Sequence, residues 1–147
     1  MQKANVLSIE DSAPDALLLK IALDAAGFDY HLTSLGDGAR AVEFIRSQNE
    51  SVDSLLPDFI LLDMNVPKVS GLEILREIRS ASRFTKIPVL VLSSSRSPRD
   101  QAAILKVADA SFEMKPCDLD GYLELGRTIR SSLESSRKFC GMRAEGN

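Results

Sequence analysis

The chain has 147 residues, 44% of them hydrophobic and 27% charged, with a formal net charge of −3. That is one domain of ordinary size with a core of its own, and the acidic balance argues against general nucleic-acid binding. No N-terminal apolar segment is long enough for a signal peptide or a membrane span, because Ser8, Glu10 and Asp11 interrupt the first run, so a cytoplasmic protein is expected.

Five strand patterns alternate with five helical ones. Val6-Leu7-Ser8-Ile9 marks a strand over 5–10 that ends in Glu10-Asp11, and a helix over 13–26 closes at Gly27. The alternation of Tyr30-His31-Leu32-Thr33-Ser34-Leu35 predicts an edge strand, followed by a helix over 38–48. The polar stretch from Ser47 to Pro57 reads as a surface loop. Phe59-Ile60-Leu61-Leu62 runs into Asp63 (strand 58–63, helix 71–81), and Val89-Leu90-Val91-Leu92 runs into Ser93-Ser94-Ser95 (strand 88–93, helix 98–108). Ser111-Phe112-Glu113-Met114 runs into Lys115-Pro116 (strand 111–115, helix 118–135). Ser12, Ser70 and Ser97 each precede an acidic residue by three positions, Asp15, Glu73 and Asp100, which predicts three capping boxes.

In the last helix Leu119, Tyr122, Leu123, Gly126, Ile129 and Leu133 form the stripe expected to be buried, while Leu125 falls off it as an exposed apolar residue. Residues 136–147 are expected to fray as a flexible tail, leaving a domain at 4–135. The basic residues near this end, Arg127, Arg130, Arg137, Lys138 and Arg143, read as a solvated face. Cys117 and Cys140 have no metal-ligand spacing and read as incidental reduced thiols.

Alternating elements of these lengths predict an α/β protein with a parallel sheet covered on both faces. Right-handed crossovers then bring Glu10, Asp11, Asp63, Ser93 and Lys115 to one sheet edge, where open α/β sheets bind ligands. Like charges about 4 Å apart repel by roughly 4 kcal/mol at an effective dielectric near 20, so a counter-charge must share the site. Oxygen ligands without Cys or His suit a hard cation such as Mg²⁺. Asp63 ends the most apolar run and is the candidate nucleophile, able to form an acyl phosphate, with Lys115 and Ser93 in reach of phosphoryl oxygens. His31 is the sole histidine, which excludes a Ser-His-Asp triad, a His-rich metal site and a phosphohistidine-donating helix.

Glu10-Asp11, Asp63 with Pro67 and Gly71 after it, Ser93 thirty residues on and Lys115-Pro116 after that give a pattern that resembles the receiver domain of two-component response regulators. The resemblance covers about 4–135 and implies a flavodoxin-like, doubly wound five-stranded parallel sheet in the order 2-1-3-4-5. It implies phosphorylation of Asp63 by a sensor histidine kinase, with Mg²⁺ held by Asp11, Asp63 and the backbone carbonyl of Asn65 and with Glu10 assisting through water. Ser93 and Lys115 would bind the phosphoryl oxygens, and Phe112 stands at the family's aromatic switch position, moving together with Ser93. A cis bond before Pro116 is implied too. Ser93 replaces the more usual Thr, and Phe112 lacks the phenol of the commoner Tyr. The 47–57 loop and the Asp63–Lys68 turn resemble the stand-alone regulators paired with bacterial phytochrome kinases.

With no second domain to switch, output is expected through a protein surface. The face formed by 98–135 is expected to make a symmetric homodimer or to dock a downstream protein target, without nucleic acid or membrane. The residues also admit a Mg²⁺-dependent phosphohydrolase with an aspartyl nucleophile, or a silent interaction domain with a vestigial site. Against the first, Asn65 stands where a second Asp would serve as general acid; against the second stands the complete residue set.

Overall fold

Strands sandwiched between helix layers have no polar face, so apolar residues fill every position instead of alternating. In the computed structural model, which describes residues 3–94, 97–107 and 110–145, with the side chains of 105, 107 and 137–145 outside that description, β3 (Phe59–Asp63) and β4 (Val89–Ser93) are buried throughout. β1 (Ala4–Ile9) is buried except at Asn5, whereas β2 (Tyr30–Leu35) and β5 (Ser111–Met114) are partly exposed. All pairings are parallel and the order is β2-β1-β3-β4-β5, as expected for a flavodoxin-like sheet. The order reverses between β1 and β3, which opens a crevice at their carboxyl ends.

Two cores flank the sheet. α1 (Ala13–Ala26) and α5 (Leu119–Glu145) cover one face through Leu19, Leu23, Leu125 and Ile129. α2 (Gly38–Glu50), α3 (Gly71–Ser80) and α4 (Pro98–Val107) cover the other through Ile45, Ile74, Ile78 and Ile104, and a 3-10 turn at Ser82–Phe84 adds the buried Phe84. The serine half of each predicted capping box forms: Ser12, Ser70 and Ser97 hydroxyls accept from the N–H groups of Asp15, Glu73 and Asp100 at 3.3, 3.2 and 3.5 Å, while at Ser12 the N–H donates to Glu10 Oε1 and not to Asp15. Asp37 caps α2 in the same way, accepting from Arg40 N–H at 2.8 Å.

Three expectations are corrected. Leu125 is not exposed: at 2% exposure it belongs to the core, where burying a leucine contributes about 2 kcal/mol, while Leu119 stands 45% exposed. The cause is the placement of α5, which turns Tyr122, Leu125, Ile129 and Leu133 onto the sheet and Gly126 onto α1. The helix also continues past the expected end at 135 to Glu145. No peptide bond among the described residues is cis, so Lys115 meets its partners across a trans bond to Pro116.

Loop 51–58 is anchored from a distance. Arg83 Nη1 donates to the carbonyl of Gln48, to that of Ser51 and to Ser54 Oγ, so one guanidinium satisfies carbonyls at the end of α2 that the helix leaves unpaired.

Candidate functional site

Each site residue sits where a strand runs out of ladder. Asp63 closes β3 at 2% exposure and Ser93 closes β4 at 4%, so both side chains project from buried backbone. Lys115 follows β5 and its N–H donates to the Ser93 carbonyl at 2.9 Å, which registers the ammonium against the β4 end. Glu10 follows β1 and is held by its own N–H donating to the Leu35 carbonyl at 3.0 Å. After β3 the chain turns tightly into α3. A Cβ on Gly71 would meet the Met64 sulfur at 2.6 Å and its Cα at 2.7 Å, so glycine is required for this close approach.

Lys115 Nζ is the hub, 2.7 Å from Asp63 Oδ2, 2.8 Å from Asp15 Oδ2 and 3.1 Å from Glu10 Oε2. Burial works against its charge, but the hydrogen bonds to Asp15, Asp63 and Glu10 outweigh it and hold the ammonium well above the usual lysine range. Asp63 Oδ1 accepts from Asn65 N–H at 2.9 Å. Asn65 itself is exposed and its amide donates to Ser94 Oγ at 3.0 Å. Burial, with the Asp63 charge adding to it, pushes Glu10 up to about 7 against the opposing hydrogen bond from Ser12 N–H.

Carboxylate oxygens of Glu10, Asp11 and Asp63 lie within 4.8 Å of one another, Asp11 being exposed to solvent. Three converging oxygens with no sulfur or imidazole fit a hard divalent cation, which supplies charge neutralisation to an entering phosphoryl group. Phe112 is half-buried opposite Val91 and packs on the core beneath α2, α3 and α4. Ser95 lies outside the described residues.

Glu10, Asp11, Asp63, Asn65, Ser93 and Lys115 are thus brought to one edge, as the sequence reading expected. Asp15 is an addition: it read as a capping residue, yet its carboxylate reaches the hub. The available signal was position, since a helix that begins four residues after the last residue of the site strand aims its first turn at the site.

A family model for the response regulator receiver domain matches residues 6–125. The chain belongs to the response regulator receiver domain family. Within this family the receiver is 39% identical over 126 residues to the response regulator Rcp1 of Synechocystis sp., covering 86% of each chain. It is similar to the phosphorylated cyanobacterial phytochrome response regulator RcpA (28% identity, 92% of this chain and 96% of that one, TM-score 0.80). It also resembles the Mn²⁺-bound form of Rcp1 (32% identity, 87% and 92% covered, TM-score 0.75). The receiver is a phosphoacceptor signalling protein, which removes the phosphohydrolase alternative, and the intact Glu10, Asp11 and Asp63 cluster stands against a vestigial site. No helix among its described residues is long and apolar enough to cross a membrane.

Proposed function

We propose that Asp63 is the phosphoacceptor and that a sensor histidine kinase of the phytochrome class is the donor. The observation that supports Asp63 is its carboxylate at 2% exposure on a central strand end, bonded to Lys115 at 2.7 Å. A carboxylate oxygen of Asp63 attacks phosphorus and forms the P–O bond as the P–N bond of the donor phosphohistidine breaks. The imidazole nitrogen departs with the electron pair and takes up a proton. Lys115 and Ser93 bind oxygens of the transferred group, the first by charge and the second by its hydroxyl.

Glu10, Asp11, Asp63 and the carbonyl of Asn65 would hold Mg²⁺, a hard cation suited to these oxygens; Rcp1, a relative, has a Mn²⁺-bound form. The phytochrome assignment rests on RcpA, described as a phytochrome response regulator. The working unit is 4–135 and acts in the cytoplasm. Output runs through α4, β5 and α5, with Ser93 and Phe112 shifting between two populations to change how this face binds a second copy or a protein target.

Incubation with a small phosphodonor and Mg²⁺, followed by intact mass, tests the assignment. The native chain should gain one lasting phosphoryl group and Asp63→Asn none, with an unchanged circular dichroism spectrum. Labelling of Asp63→Asn on another carboxylate would overturn the choice of Asp63.

A further inference from the structure

Asp15 lies closer to Lys115 than Glu10 does, 2.8 against 3.1 Å, yet stands outside the Glu10, Asp11 and Asp63 cluster whose oxygens converge. In a capping box the acidic residue turns back to the N-cap N–H. Here Glu10 Oε1 already accepts from Ser12 N–H at 3.0 Å, and the Asp15 carboxylate turns to the ammonium instead. Its backbone is fixed by donation to Ser12 Oγ at 3.3 Å, so it offers Lys115 a rigid anchor on α1.

A second observation comes from α5. Tyr122 is 2% exposed and its hydroxyl has no hydrogen-bond partner among the described residues. Buried polar groups are nearly always paired, so an orphan calls for an occupant or a second state. Tyr122 shares its core with Leu19, which stands one turn after Asp15 on α1, so the phenol packs against the same helix that carries the carboxylate; burial first and the charge of Asp15 next push it up to about 12.

We propose that Asp15 is a positioning residue that holds Lys115 at the site, and that the Tyr122 hydroxyl takes over Asp15 when Lys115 turns to the phosphoryl group. This rests on the phosphoacceptor reading of Asp63. Glu10 and Asp63, two of the three carboxylates around Lys115, would be drawn to a cation held with Asp11, whose charge would oppose the ammonium. Asp15 is the partner that remains. Once the ammonium moves to phosphate oxygens, a partly buried carboxylate is left without a donor, and Tyr122 has a donor without an acceptor. The exchange links the chemistry to α5 without passing through Ser93 or Phe112.

Two readouts on the full chain test it, using Asp15→Asn, Asp15→Glu and Tyr122→Phe. The first is acylation of Lys115 by an amine-reactive ester, followed by peptide mass spectrometry with no phosphodonor present. The second is the rate and lifetime of phosphorylation by a small phosphodonor with Mg²⁺. Asp15→Asn should speed Lys115 acylation by about 3- to 10-fold, since a tenfold change in the neutral amine corresponds to one pKa unit. It should slow phosphorylation by a similar factor, and Asp15→Glu should restore both toward native values. Tyr122→Phe should shorten the phosphorylated lifetime while Lys115 acylation stays native. Unchanged acylation in Asp15→Asn overturns the role of Asp15, and an unchanged lifetime in Tyr122→Phe overturns the exchange. Native protein that takes no phosphoryl group overturns the phosphoacceptor reading and the exchange with it, while the acylation result still decides whether Asp15 holds Lys115.

Discussion

Glu10 shows how far a residue's environment can move its chemistry. In the unfolded chain it ionises near 4.5, and in the folded protein burial pushes it up to about 7. Between those values the folded state binds more protons than the unfolded state, so stability falls as pH rises. The contribution of Glu10 is therefore fully present below pH 4.5 and lost as pH climbs through about 7. In chelator, urea midpoints of the native protein should decline relative to Glu10→Gln across this window and run parallel to it outside. A constant difference over the whole window would contradict the raised value. Asp63 was legible in the sequence because it follows an apolar run directly, and Lys115 because it follows a short strand pattern and precedes Pro116. Asp15 was not, since its carboxylate has two local uses, a cap or a salt bridge, and only the competing claim of Glu10 on Ser12 N–H decides between them.

Elements show where periodicity stops being sufficient. A helix lying on a sheet and beside another helix buries an arc wider than one stripe, so in α5 both Leu125 and Gly126 are buried, one toward the sheet and the other toward α1. A Cβ on Gly126 would stand 2.5 Å from the Ala22 carbonyl oxygen, backbone that cannot swing aside. Gly126→Ala should therefore push α1 and α5 apart at a cost of about 1–3 kcal/mol, the usual range for overpacking. A lower denaturant midpoint at unchanged slope is the expected result, and a native midpoint would show that the two helices separate freely. The loop between α2 and β3 was legible as polar and long, but Arg83, its anchor, is remote in sequence and carried no local signal.

At the scale of the whole molecule the site and the proposed output face share the β4 and β5 strand ends. β5 is an edge strand with Ser111, Glu113 and Met114 exposed, so it offers a surface continuous with Ser93 and Lys115. Sedimentation of phosphorylated and unmodified protein, with Phe112→Ala and Glu113→Arg alongside, should show a phosphorylation-dependent change in association that both substitutions weaken. Identical behaviour in every sample would remove a switched dimer from this face and leave docking of a different protein. Leu125 cannot serve as a probe there, because its substitution would open the core. The sequence by itself determined the alternation of elements, the strand order through its family pattern, and the polar residue at each strand end, because burial on two faces and right-handed crossovers leave little choice. Only the tertiary structure decided which side of α5 faces the sheet, that Asp15 joins the Lys115 hub, and that Tyr122 is buried with a hydroxyl unpaired among the described residues. Those outcomes depend on contacts between segments far apart in the chain, where local spacing admits several arrangements and packing selects one.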